Sequence, residues 1–107
     1  MNGTKALTND LLLEIPKRFP GARVWRAGVL VGRTLDGKRI VRAGLPGSAD
    51  ISGIVPGGRR IEVEVKFGKD RMSEIQIAFR AMILRAGGIH VIAREIEQAM
   101  RDLEAQL

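Results

Sequence analysis

The sequence predicts an α/β fold, a central mixed sheet flanked by helices in the order α-β-β-β-β-α-β-α. Three observations carry that expectation. Residues 61–66, Ile-Glu-Val-Glu-Val-Lys, alternate apolar with charged side chains, the period of a strand that buries one face. Pro56-Gly57-Gly58 is a hairpin signal that joins this strand to the apolar run 51–55. A helical pattern over 73–86 then ends at Gly87-Gly88 and leads into a second apolar run, 89–93. Strand, helix and strand make a crossover unit whose two strands can lie parallel.

Taken in order, residues 1–7 read as a loose lead-in. Thr8 or Asn9 can cap a first helix, with Asp10 in its first turn. Leu11, Leu12, Leu13 and Ile15 are too densely apolar for a solvated helix. Pro16 lacks an N–H and crowds the preceding turn, so the helix is expected to run about two turns, with a resumption as far as Phe19 left open, and to stop at Pro20-Gly21. Residues 22–31 read as one strand, in which Gly28 marks a bulge or a close backbone approach. Trp25 can stack on a base or ribose, but a place in or at the edge of the core is the simpler reading. Asp36-Gly37 signals a hairpin, with 38–42 returning antiparallel. After the turn 43–47, Ser48-Ala49-Asp50 opens the strand 51–55.

Residues 67–72 form a loop, and Ser73-x-x-Gln76 has capping-box form. The 73–86 helix is apolar around most of its girth, which predicts burial on more than one side, against the sheet or a second subunit. His90 alternates with Ile89 and Val91 and reads as structural. Residues 95–107 form a terminal amphipathic helix with Ile96, Ala99, Met100 and Leu103 on one face.

The chain has 107 residues, suited to a single domain spanning 1–107. It has no cysteine and one histidine, which excludes thiolate chemistry, Cys-based zinc sites and a His-rich metal site within one chain. A bound metal would be an oxygen-liganded hard cation, Mg²⁺ or Mn²⁺. No apolar run approaches a membrane span, and no signal-peptide pattern opens the chain, so a cytoplasmic, intracellular location is expected. The net charge is +6. Its excess is uneven: residues 1–60 carry 11 Lys and Arg against 4 Asp and Glu, residues 95–107 only 1 against 4. A basic field of that kind attracts polyanions, nucleic acid first among them.

The chemistry concentrates in 47–76. Glu62, Glu64 and Lys66 share one strand face, and the 56–58 hairpin brings Asp50 towards them if the register is right. Carboxylates that hold an ion, with a lysine beside the attacked phosphate, are what a divalent-metal phosphodiesterase needs. Taken alone, Glu-x-Lys is equally an ordinary half-exposed strand. The order Gly47-Ser48-Ala49-Asp50, apolar run, glycine turn, Glu64-Val65-Lys66 and Ser73-x-x-Gln76 resembles the VRR-NUC branch of the PD-(D/E)xK nuclease superfamily. Residues 14–94 share the resemblance. It implies a restriction-endonuclease-like core and a Mg²⁺-dependent endodeoxyribonuclease acting on branched DNA such as Holliday junctions, as a homodimer.

Carried onto this chain, the resemblance makes Asp50, Glu64, Lys66 and Gln76 catalytic. It places the metal on Glu14, Asp50, Glu64 and the Val65 carbonyl. Arg23, Arg26, Arg39, Arg42 and Lys69 are the candidate nucleic-acid contacts. The cap and catalytic roles of Gln76 compete for one side-chain amide. Glu62 departs from the family, which usually has an apolar or neutral residue there. Glu14 alternatively pairs with Lys17 or Arg18 on the surface. The rival readings are a non-catalytic nucleic-acid-binding module of the same fold and, more weakly, a small structural protein.

Overall fold

The computed structural model describes residues 3–27 and 30–107, with backbone alone at 30–32 and 41–43. Among these residues the elements are α1 (Gly3–Arg18), β1 (Arg23–Arg26), β2 (Leu30–Arg33), β3 (Ile40–Ala43), β4 (Ile51–Val55), β5 (Arg59–Val65), α2 (Glu74–Arg85), β6 (Ile89–Ala93) and α3 (Ile96–Gln106). The order of helices and strands is the expected one, with the stretch 22–31 divided into β1 and β2. A four-stranded mixed sheet has the order β1-β4-β5-β6, and β2 and β3 form a separate two-stranded sheet. β4 is antiparallel to β1 and β5, and β5 is parallel to β6 across the α2 crossover.

Register follows burial. Ile61, Val63 and Val65 stand opposite Ile89, Val91 and Ala93, and together they pack on Leu11 and Ile15 of α1 and on Ala99, Met100 and Leu103 of α3. A one-residue slip would turn this whole set out of the core. The reverse face carries the row Trp25, Ser52, Glu62 and His90 across the four strands. α2 covers the β6 side of that face, where Phe79 meets the His90 ring edge-on at 6.2 Å.

Three expectations are corrected. α1 starts at Gly3 and passes Pro16 without a break. Thr8 Oγ1 donates to the Thr4 carbonyl at 2.6 Å inside the helix instead of capping it. Pro16 sits in the last turn, and the Phe19 N–H still reaches the Ile15 carbonyl at 2.9 Å. An interior proline costs ~3 kcal/mol, and full burial of Leu11 and Ile15 returns roughly 1.5–3 kcal/mol each.

α2 is also not buried on several sides. Only Phe79 is buried, while Ile75, Ile77, Met82 and Leu84 are exposed. Trp25, finally, is 47% exposed rather than a core residue. α2 leaves the β1 side of the sheet open, and the Arg60 guanidinium lies 6.0 Å over the indole.

The termini of α2 are as the sequence signals. Ser73 and Gln76 form a reciprocal capping box. At the other end Gly87 takes φ +90°, and the N–H groups of Gly87 and Gly88 reach the Leu84 and Ile83 carbonyls at 3.1 and 2.9 Å, a Schellman motif. β6 is a sheet edge, and α3 closes it with glutamines. Gln106 accepts from the His90 N–H at 3.0 Å and donates to the His90 carbonyl at 2.9 Å, while Gln98 donates to the Ile92 carbonyl at 2.8 Å. No helix among the described residues is long and apolar enough to cross a membrane.

Candidate active site

The site is assembled by the β4–β5 hairpin. Ile51 stands opposite Val63, and continuing that register sets Asp50 across from Glu64. Asp50 Oδ2 accepts the Val65 N–H at 2.8 Å, so the carboxylate ends the ladder where β4 begins. Its carbonyl accepts the Ala27 N–H at 2.8 Å, which ties the end of β1 to the same point. The preceding loop fits closely under α2. Gly47 has φ +81°, and a Cβ there would sit 2.5 Å from the Ile75 carbonyl, so any side chain is excluded twice over.

Glu64, Lys66 and Gln76 are joined in one network. The Gln76 Nε2 donates to Glu64 Oε1 at 3.0 Å, and Lys66 Nζ donates to Gln76 Oε1 at 2.9 Å. Lys66 Nζ also lies 3.9 Å from Glu64 Oε1. Gln76 Oε1 meanwhile accepts the Ser73 N–H at 2.9 Å as part of the cap. The conflict expected between cap and site roles does not arise. An amide oxygen has two acceptor positions, one used by each role, and Nε2 remains for the carboxylate.

Electrostatically Lys66 alone does not neutralise the two carboxylates. Glu64 is 4% exposed, and burial first, then the neighbouring Asp50 charge, push its carboxyl up to about 8 against the pull of Lys66. Its Oε2 is buried and has no donor. Two adjacent carboxylates with an orphaned oxygen call for a proton or a cation between them. The donors suit a hard cation. Lys66 gives its N–H to the Ala93 carbonyl at 2.9 Å, so the alternation of the strand turns the Val65 N–H and carbonyl to the opposite edge, towards Asp50. Asp50, Glu64 and the Val65 carbonyl are an oxygen-only set that fits Mg²⁺ or Mn²⁺. No group of three or more His, Asp or Glu side chains able to hold a metal occurs among the described residues.

Beside the carboxylates lies a cavity of about 280 Å³ lined by Thr4, Lys5, Thr8, Arg26, Asp50 and Glu64, among others. Arg26 also donates to Asn9 Oδ1. Thr4 and Lys5 were not singled out in the sequence, and Thr8 only as a helix cap. The signal available was the i, i+4 threonine pair, hidden once residues 1–7 are read as a lead-in. Glu14, by contrast, is not brought to the site. It accepts Arg18 Nε at 3.0 Å, and Arg18 bonds onward to Glu97 at 2.8 Å. Six residues past Thr8 is ~240° around a helix and ~9 Å along it, which carries Glu14 to a separate hollow beside Leu13 and Ile96.

The remaining candidates are dispersed. Arg23 pairs with Ile54 at the far end of β1 and donates to the Ala22 carbonyl at 2.9 Å. Arg39 is exposed at the turn of the β2–β3 hairpin. Arg42 stands opposite Val31 on β3, and its side chain, like Gly28, lies outside the described residues. Lys69 is exposed in the loop after β5, which Arg94 fastens through the Gly68 and Asp70 carbonyls at 3.0 and 2.8 Å.

Glu62 is 2% exposed, one row away from Asp50. It accepts Arg60 at 3.4 Å, and its Oε2 has no partner. Beside it, burial and the Arg80 charge push His90 down to about 4. Compared with family models, with curated proteins and with solved structures, the chain finds no match.

Proposed function

We propose that this chain is a metal-dependent DNA endonuclease of the VRR-NUC type, with a restriction-endonuclease-like core, acting on branched DNA such as Holliday junctions. The observation that carries the proposal is the network of Glu64, Gln76 and Lys66 next to Asp50, beside a cavity edged by Lys5 and Arg26, with one buried Glu64 oxygen left without a donor. A hard divalent ion on Asp50, Glu64 and the Val65 carbonyl supplies, when bound, charge against the scissile phosphate and a water of lowered pKa.

The chain's own groups do the rest. Lys66 offers its ammonium to the phosphate oxygen on which negative charge develops. Gln76 holds Lys66 and Glu64 in a fixed relation, so neither must reorganise during the reaction. Asp50, by holding the Val65 N–H, sets the direction of the Val65 carbonyl. Lys5 and Arg26 attract the flanking phosphates. Symmetric cutting of a four-way junction needs two such sites, hence a two-fold dimer, and the exposed apolar residues of α2 are a surface for it.

That only two carboxylates meet among the described residues favours a second reading, a nucleic-acid-binding module without catalysis. Incubating the protein with a labelled four-way junction and a matched linear duplex, in Mg²⁺, Mn²⁺ or EDTA, separates the two. The nuclease cuts the junction in a metal-dependent way. Binding of both DNAs with no cutting in either metal overturns the nuclease reading in favour of the module. Equal cutting of both DNAs removes the preference for branched substrates.

A further inference from the structure

The β2–β3 hairpin stands apart from the rest of the fold. Its strands pair only with each other, and it packs extensively on no other described element. A lone two-stranded ribbon is marginal in water, yet this one has a fully bonded turn. Thr34 Oγ1 and the Lys38 N–H both donate to Asp36 Oδ1, at 2.5 and 2.9 Å. The Thr34 N–H reaches the Arg39 carbonyl at 3.0 Å, and the Gly37 N–H the Thr34 carbonyl at 2.8 Å. The one acidic group of the hairpin is thus engaged within the turn. What points outward is basic and apolar: Arg33, Lys38 and Arg39 are exposed, Ile40 is 61% exposed, and Leu35 at the tip is wholly exposed.

We infer that this hairpin is a DNA-gripping arm that enters the major groove of the duplex beside the candidate active site, with Arg33, Lys38 and Arg39 on phosphates and Leu35 against the bases. Charge and shape both select that occupant. Three cations without an ion pair among the described residues match a polyanion, and the B-form major groove admits a two-stranded ribbon. The major groove of A-form RNA is too deep and narrow for side chains to read, which assigns the arm to DNA. In that groove an apolar side chain such as leucine can lie against the exposed methyl group of thymine.

The root of the arm is fastened at the site, because Ala27 donates to the Asp50 carbonyl. Leu35 lies eight positions after Ala27, a chain reach of at most about 27 Å. The tip therefore works within the duplex arm next to the cut. The inference rests on the nuclease reading of Asp50 and Glu64, and its test distinguishes the two.

Fluorescence anisotropy is measured across a salt series on duplex DNA and on duplex RNA of the same sequence. The proteins are wild type, the triple variant Arg33→Ala/Lys38→Ala/Arg39→Ala, and Leu35→Ser, with cleavage followed in parallel. The triple variant is expected to bind DNA at least tenfold more weakly and to lose about 3 units from the slope of log K against log salt. Leu35→Ser should lower affinity with the slope unchanged. RNA binding should be weak and indifferent to both changes, and circular dichroism unaltered.

If wild type binds and cuts while both variants match it in affinity and slope, the arm is rejected and the nuclease reading stands. If the slope falls in a protein that binds but never cuts, the arm stands and the nuclease reading falls. Variants that change only the sedimentation of the protein assign the hairpin to a second copy of the chain and overturn the arm. A wild type with no DNA affinity at low salt overturns both.

Discussion

Glu64 is the side chain on which the chemistry turns, because it is the most buried member of a like-charged pair. Its carboxyl is raised above the ordinary value near 4.5 to about 8. In the metal-free protein the folded state therefore holds a proton that the unfolded state releases. That contribution to stability is fully present below pH 4.5 and is lost as pH rises through 8. A cation at the site must displace the same proton. Mg²⁺ should therefore raise the melting temperature more at pH 8.5 than at pH 6, with ~1.4 kcal/mol of stabilisation at tenfold over Kd. The shift should vanish in Asp50→Asn, and an undiminished shift in that variant would place the ion elsewhere. Gln76 is the second critical residue. Gln76→Ala removes a cap bond and two site bonds together, so chemical denaturation should show a loss of about 1–2 kcal/mol, and cleavage should fall with it. Full activity in this variant would reduce Gln76 to a cap.

Elements differ in how much of them the sequence declares. The β4–β5 hairpin and the β5–α2–β6 crossover were legible, because glycine turns, period-2 alternation and a capping box all act locally. Asp50, Glu64, Lys66 and Gln76 inherit their positions from those local signals. The start of α1 was not legible. Residues 3–7 become helical only because Leu11 and Ile15 anchor the helix in a core that the local sequence does not describe. Once the start is misplaced, Thr4 is overlooked and Thr8 is read as a cap, while Glu14 is assigned to the metal by the resemblance alone. The division of 22–31 depends on which strand pairs with which, and that is a tertiary fact. The edge device on β6 was hidden for the same reason. Gln106 looks like a solvated terminal residue until α3 lays it along the His90 backbone. Gln106→Ala leaves that edge unpaired, and hydrogen exchange at His90 should quicken about tenfold for ~1.4 kcal/mol lost. Unchanged protection would mean the edge is closed by other means.

At the scale of the molecule, one face of the sheet is sealed by α1 and α3, while the other is only partly covered by α2. Ile75, Ile77, Met82 and Leu84 remain exposed on that helix, more apolar surface than a solvated helix usually presents. Sedimentation should give a dimer for the wild type and a monomer for Met82→Lys/Leu84→Lys, with α2 still folded because Phe79 is untouched. A monomeric wild type at high concentration would remove the symmetric dimer and, with it, paired cutting of a junction.

The central claim is that the network around Lys66 performs phosphodiester hydrolysis, and one comparison tests it most directly. Wild type and Lys66→Ala are assayed together for binding and for Mg²⁺-dependent cutting of the same four-way junction. Lys66 is no part of the hydrophobic core, so the variant should fold and bind within about threefold of wild type while cutting falls by about 10²-fold or more. Cutting retained at the wild-type rate, with binding intact, would contradict the account and return Asp50, Glu64 and Lys66 to the role of a charged strand face.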